Sequence, residues 1–480
     1  MIDFTNRKNR FLNLIDVPKT YIENIKEKTK SDAYYPTYHV APHHGLLNDP
    51  NGLSFYKGEH HIFYQWFPLG PVHGLKHWYH VSTKDFVHYC DHGIAMYPDQ
   101  TYDSYGCYSG SSLEVEGELF LFYTGNRKSE KGGFNQSQCL AKMDSSNLVK
   151  KIGVIVDRDE TVFTENFRDP VVFQRTNHSF LLVGGETIDN QGALALYKGE
   201  TFYDLSYQGN IDIGINDFGH MWECPNYYEQ GKNGVLILSP QGISSFSKYD
   251  LKNVFSVVYF VGEKIDVENN MFKNDGFIEL DKGFDFYAPQ TYEDEKGRRI
   301  LIGWLGNSKS EYPTDKNGWA HMLTIPRELK IKDNVLFQEP VIELKDLRAS
   351  SHNFEREIRL ISGSFELECE IQDEFGITLQ NDEGANITFS SNGEEYCLDR
   401  SNMSELYAER FGTERYAIRK IKEKHNVKIF VDQSSMEIFC DNGETVFTTR
   451  FFIKDLSHLT AYGVKGKLHY LSSLQVTSTR

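Results

Sequence analysis

An all-β protein of two domains is what this sequence predicts, on three observations. Short apolar and aromatic runs of strand length recur after Tyr34, separated by clusters of Gly, Asn, Asp and Pro. Helical periodicity is rare beyond the first thirty residues. A chain of 480 residues is too long for one compact core, which points to two domains, one of them large.

Residues 1–34 read as a short helical extension. Pro18 is placed for a first turn, and "KTYIENIKEKTK" alternates charges in a helical pattern. Residues 35–348 read as one large β domain. "HIFYQWF", "LFLFYTG", "PVVFQ", "SFLLVGG", "GVLILSP", "FSVVYFVG" and "RRILIGWLG" each have strand length. So many short strands must avoid open edges, and repetition of small sheets around an axis does this. The region fits a five-bladed β-propeller of four strands per blade, although no clean internal repeat marks the blades. Residues 355–480 read as a β-sandwich. Val427, Ile429 and Val431 share one strand face, as do Met436, Ile438 and Cys440. Asn442-Gly443 signals a two-residue hairpin. The boundary falls in "DLRASSHNFERE".

Composition narrows the function. A net charge of −17 disfavours nucleic acid and anionic membranes as partners. No stretch has the apolar length of a membrane span, and the N-terminus lacks the hydrophobic core of a secretory signal. The seven cysteines are scattered, against a disulfide framework and against a metal site. A reduced, cytoplasmic protein is expected.

Chemistry concentrates in a few carboxylates. Asp49 lies in "GLLNDPNGL", a run of turn formers hemmed in by leucines and followed by aromatics, which places its carboxylate in a pocket. Asp169 lies in "NFRDPVVF" and Glu223 in "HMWECPNYY". Glu223 has apolar neighbours and no adjacent cation, so burial is expected to keep it protonated. Arg168 beside Asp169 is expected to hold that group ionised. Turn N–H groups are expected to stabilise Asp49. A protonated acid facing ionised carboxylates is the arrangement of glycoside hydrolysis. Gln65, Trp66, Trp78, Tyr108, Ser109, Tyr287 and Trp304 offer polar groups and flat faces for a sugar ring.

"LLNDPNGL", "YSGSS", "FRDP", "WECP", "FDFYAPQTYEDEKGRRILIGWLG", "TIPREL" and "IFVDQSSMEIFCDNG" occur in the order seen in family 32 of the glycoside hydrolases, which the chain resembles over residues 35–480. The resemblance implies the propeller and sandwich, and a retaining mechanism on β-fructofuranosides with no metal or organic cofactor. It implies Asp49 as nucleophile, Glu223 as acid and base, and Asp169 as a holder of fructose hydroxyls. Asp49 and Glu223 would then lie about 5–5.5 Å apart. Leu47, Asn48, Gln65, Trp78, Tyr108, Ser109, Arg168 and Trp304 carry over as substrate-site residues. "GPVHGLKHWYH" departs from many invertases, with His73 in place of a tryptophan and Tyr79 in place of a glycine. That stretch resembles the intracellular sucrose-6-phosphate hydrolases, and His73, Lys76 and His77 are candidates to meet a sugar phosphate. Arg127 and Lys128 are weaker candidates. The expected partner is thus a small sugar or sugar phosphate. An invertase, a fructan hydrolase, a fructosyltransferase and a non-catalytic carbohydrate-binding protein are the alternatives.

Overall fold

The computed structural model describes residues 2–129 and 132–479. The fold is all-β with few helical segments. Helix α1 (Lys19–Lys30) follows Pro18 as expected and buries only Ile25 and Thr29. Ahead of it, a 3-10 turn at Arg7–Phe11 lies on the β domain. Phe4, Phe11 and Leu12 pack there against Leu46, Phe67, Leu69 and Leu75.

Residues 45–340 form five sheets. The first strand of each is β1 (Gly45–Tyr56), β2 (Cys107–Val115), β3 (Phe163–Arg175), β4 (Met221–Gln230) and β5 (Tyr287–Glu293). Each touches the next, and β5 touches β1, so these inner strands form a closed ring. The sheets begun by β2, β3 and β4 are four-stranded meanders. The sheet begun by β1 gains Trp319–Ala320 beside β1 and Gln475–Ser478 at its other edge, both in parallel pairing. The architecture is a β-propeller followed by a C-terminal sheet domain.

A repeat missed in the sequence is visible in the pairing. Each inner strand slips register at a corresponding place: Leu47 to Pro50, Cys107 to Gly110, Arg168 to Val171, Glu223 to Asn226 and Tyr287 to Gln290; β1 slips again after Asn51, and β3 between Phe163 and Phe167. The corresponding slips enclose Asp49-Pro50, Ser109-Gly110, Asp169-Pro170, Cys224-Pro225 and Ala288-Pro289. Proline cannot donate to a ladder, so within a sheet it favours bulges, and a bulge re-aims the neighbouring side chains. Asp169, Cys224 and Ala288 adopt φ of 66°, 47° and 47° there. Gly110 replaces proline because an added Cβ would lie 1.8 Å from the Phe122 carbonyl oxygen.

The C-terminal domain is a ten-stranded sheet. Its long strands Ser364–Gln380 and His458–Leu471 pair throughout, with a slip between Ile371 and Gly376. The first half pairs with His425–Asp432 and the second with Asn386–Asn392. Phe365, Leu367 and Cys369 from one half share a core with Phe375, Ile377 and Leu379 from the other. Arg348–Phe354 already pairs into this sheet; it starts at the last residue of the range expected for the propeller and runs through the gap before the second range. The expected two-residue hairpin at Asn442-Gly443 is instead a longer link, from Cys440 to Thr445. Gly443 there lies so close to the propeller that an added Cβ would sit 2.1 Å from the Gln338 carbonyl oxygen. Docking, not strand twist, sets that turn.

Candidate active site

A cavity of about 520 Å³ is lined by side chains from all five inner strands: Asn48 and Asp49, Tyr108, Arg168 and Asp169, Glu223 and Cys224, and Tyr287. These residues lie at or beside the bulges. The bulges thus explain how a ring of ordinary strands brings its chemistry to one place.

Asp49 is held by a closed hydrogen-bond circuit. Ser109 Oγ donates to Asp49 Oδ2 at 2.5 Å, and Asn48 Nδ2 donates to Oδ1 at 3.1 Å. Gln65 links the two donors, giving its Nε2 hydrogen to Ser109 Oγ at 2.5 Å and accepting from Asn48 Nδ2 at 2.8 Å. Both carboxylate oxygens are therefore fixed by side chains. The expected turn N–H groups are absent from this circuit because Asp49 lies within β1, at its bulge. Burial raises the Asp49 carboxyl, Ser109 opposes the rise, and the Glu223 charge adds to it.

Lys76 is at the floor. Its Nζ donates to Asn48 Oδ1 at 2.5 Å, and the side chain is buried rather than solvated. Burial lowers its ammonium to about 7, against the pull of Asp49. His73 also lines the cavity, edge-on to Trp304 at 5.9 Å between ring centroids. Burial drives its imidazole well below the usual histidine range, and Lys76 adds to this.

The Glu223 and Asp169 environments are the reverse of the sequence expectation. Arg168 Nε and Nη2 donate to Glu223 Oε1 at 3.1 and 2.7 Å. Gln241 Nε2 donates to Glu223 Oε2 at 2.5 Å, and the Tyr287 hydroxyl lies 2.7 Å from the same oxygen. Burial raises the Glu223 carboxyl, but Arg168 and these donors outweigh it and hold it below the usual range. Asp169 accepts from Cys224 N at 2.8 Å and has no ion pair among the described residues. Burial pushes its carboxyl up to about 7, with Arg168 pulling it down and Glu223 and Asp49 adding to the rise. The cause is geometric. Arg168 and Asp169 diverge at a bulge, so the arginine reaches across to β4 while its neighbour does not pair with it.

Among the other expected residues, Gln65, Tyr108 and Trp304 line the cavity. Ser109 acts from behind Asp49. Leu47 is fully buried and lies in the core, though its carbonyl accepts from His321 Nδ1 at 3.1 Å. Trp78 and Trp66 are also core. Trp78 packs on Phe63 and Tyr123, and Trp66 donates its indole N–H to the His44 carbonyl. His77 is buried, its Nδ1 hydrogen-bonded to the Leu75 carbonyl at 3.0 Å. Arg127 pairs with Asp157 at 3.8 Å. Trp304 Nε1 and His73 Nε2 are buried without a hydrogen-bond partner among the described residues, so two cavity residues hold polar groups a ligand can satisfy. Among the described residues, no group of three or more His, Cys, Asp or Glu is placed to hold a metal ion.

Sequence reasoning missed several cavity residues. Gln136, Asn166 and Gln241 are amides that brace Arg168 and Glu223. Arg7, Arg10 and Phe11 come from the N-terminal segment, which carried no recognisable signal.

Residues 39–340 match the glycosyl hydrolases family 32 N-terminal domain, and residues 339–478 match the family 32 C-terminal domain. A sucrose-6-phosphate hydrolase of Vibrio alginolyticus is 43% identical over 460 residues, covering 95% of this chain and 94% of that protein. One from Staphylococcus xylosus is 36% identical, covering 96% and 94%. The solved sucrose-6-phosphate hydrolase of Lactobacillus gasseri superposes with a TM-score of 0.93 at 31% identity, covering 98% of this chain and 99% of that one. A Bombyx mori GH32 beta-fructofuranosidase superposes with a TM-score of 0.85 at 28% identity, covering 97% and 100%.

Proposed function

The chain belongs to glycosyl hydrolase family 32, and from that footing we propose that it is a retaining hydrolase of sucrose 6-phosphate, releasing glucose 6-phosphate and fructose. The five sheets are read as five blades, residues 35–348 as the catalytic domain, and the C-terminal sheet as a sandwich folded over its own core. The observation that carries the mechanism is the convergence of Asp49, Asp169 and Glu223 on one cavity, with Asp49 locked by neutral donors and Glu223 reachable from the same space.

The roles follow from the surroundings. Asp49 Oδ attacks the anomeric carbon of the fructosyl unit as the bond to the glucosyl oxygen breaks. Glu223 gives its proton to that oxygen. A fructosyl-enzyme ester results, a step for which a retaining pair needs its carboxyls about 5–5.5 Å apart. Glu223, now ionised, takes a proton from water, and the water oxygen displaces Asp49. Asp169 accepts hydrogen bonds from fructose hydroxyls, and Asn48, Gln65, Tyr108 and Trp304 complete that pocket. The Arg168 pairing favours ionised Glu223, which suits the second, base-catalysed half. The first half requires Glu223 to be reprotonated, and exclusion of water by the bound sugar favours this. The identities of the relatives support the phosphorylated substrate, which also fits a cytoplasmic enzyme.

Kinetics on sucrose 6-phosphate and on sucrose test the substrate. A kcat/KM ratio above about tenfold is expected, with Asp49→Asn inactive on both. Equal values would redirect the reading to an invertase. Proton NMR of the first-formed fructose tests the mechanism: retention gives the β-furanose anomer, and the α anomer would rule out a covalent intermediate.

A further inference from the structure

A dianionic substrate is a poor match for this cavity floor. Asp49, Asp169 and Glu223 all face it, in a chain of net charge −17. The two floor cations are already engaged: Lys76 with Asn48, and Arg168 with Glu223, Asn166 and Gln136. His73 is half-buried, and both burial of its ring and the nearby Lys76 disfavour a charge on it. A phosphate on the outer sugar needs cations elsewhere.

Two such cations lie at the rim. Arg7 and Arg10 line the same cavity, Arg7 exposed and Arg10 half-buried. Neither has a carboxylate partner among the described residues. Arg10 Nε donates to the Phe4 carbonyl at 3.0 Å, which fixes the guanidinium and leaves its Nη groups without a hydrogen-bond partner among the described residues. The segment that carries them is built in. Leu75 N donates to the Arg10 carbonyl at 2.7 Å. Gly74 is needed there, because an added Cβ would lie 2.5 Å from that carbonyl oxygen. Phe11 packs on Tyr105 at 5.2 Å, and Phe4 packs on Phe67 at 5.7 Å, filling the space a side chain at Gly70 would take. One acid shares this side, Glu165, whose Oε2 accepts from Phe134 N at 3.0 Å.

We propose that Arg7 and Arg10 form the subsite for the phosphoryl group of the substrate, resting on the reading of the substrate as a sugar phosphate. The fructosyl unit meets the carboxylates at the floor, so the glucosyl unit extends toward the rim. Its 6-phosphate then meets guanidinium groups, which offer paired donors to phosphate oxygens. The N-terminal segment thereby gains a role in specificity, as the part of the chain that converts a plain fructoside site into one for fructosides of a sugar phosphate.

The test is a ratio of ratios. Arg7→Gln, Arg10→Gln and the double variant are assayed on sucrose 6-phosphate and on sucrose, with glucose 6-phosphate and glucose as competing inhibitors. Each substitution is expected to lower the kcat/KM preference for the phosphorylated substrate by roughly tenfold to a hundredfold, the worth of a charge-assisted pair to phosphate. Inhibition by glucose 6-phosphate relative to glucose should weaken in parallel, and Arg10→Lys should recover part of it. A wild-type preference that survives in the double variant, or equal losses on both substrates, overturns the inference and leaves the substrate reading standing. Absence of any wild-type preference overturns both.

Discussion

Ser109→Ala is the sharpest probe of the circuit around Asp49. The wild-type hydroxyl donates to Asp49 Oδ2 at 2.5 Å and accepts from Gln65 Nε2 at 2.5 Å, and Ser109 is fully buried. A buried hydrogen bond to a charged group is worth about 1.5–3 kcal/mol, and its removal also strands the Gln65 amide. Applied to transition-state stabilisation, kcat/KM should fall roughly tenfold to a hundredfold. The pH profile gives a second reading. Ser109 opposes the burial that raises the Asp49 carboxyl, so its loss lets that group rise further. As the proposed nucleophile, Asp49 must be ionised to attack, and the acidic limb of kcat/KM should move to higher pH. The assay is initial-rate kinetics across the range from acid to mildly alkaline pH, with thermal unfolding to verify the fold. A variant within about twofold of wild type, with its acidic limb in place, would refute the claim that this hydroxyl holds the proposed nucleophile.

Two further predictions concern the join between the domains. His39 bonds Asp432 and Glu437 at 2.8 and 2.9 Å, and although burial alone would lower its imidazole, these carboxylates raise it to about 9. A group raised on folding contributes fully below its unfolded value near 6.5 and loses that contribution as pH rises through about 9. About 3 kcal/mol of stability should therefore fade over that window, and His39→Gln should flatten the pH dependence of the urea midpoint; an unchanged slope would remove His39 as its source. Gly443→Ala places a Cβ 2.1 Å from the Gln338 oxygen at a φ of 95°. The unfolding midpoint should drop by the equivalent of about 1–3 kcal/mol in calorimetry, and an unaltered midpoint would mean the turn is free to move.

The strands were legible because period-two burial and turn residues are local signals. The three carboxylates were legible because each stands in an unusual apolar setting. What the local view could not supply was pairing through space. Arg168 sits beside Asp169 in the chain, yet its ion pair is with Glu223, 55 positions away. The repeat was hidden for a related reason: the five sheets share little beyond a residue pair at each bulge, Asp-Pro, Ser-Gly, Asp-Pro, Cys-Pro and Ala-Pro. Aromatics could not be ranked. Trp304 and Trp78 look alike in sequence, but one faces the cavity and the other the core. Arg7 and Arg10 carried no pattern, because their meaning comes from docking against Gly74 and Leu75.

The C-terminal domain is also part of the site's construction. The segment 281–285 leads directly into β5, whose first residue, Tyr287, touches Glu223. That segment is gripped by the sheet domain. Phe284 N and Asp285 N donate to the Thr448 carbonyl at 2.8 and 3.1 Å. Asp285 Oδ2 takes Arg400 Nη1 at 3.0 Å and Arg450 N at 2.9 Å. Arg327 from the propeller spans the same seam, bonding Glu437 and Asp281 from full burial. Buried charge of this kind is weak evidence for net stability, since desolvation cancels much of the attraction. It is stronger evidence for geometry, because any sliding of one domain on the other would leave a buried charge unpaired, at a cost of about 3–5 kcal/mol. The seam therefore selects one position for the entry to β5. Through Tyr287, that position is passed to Glu223, the proposed proton donor to the leaving oxygen.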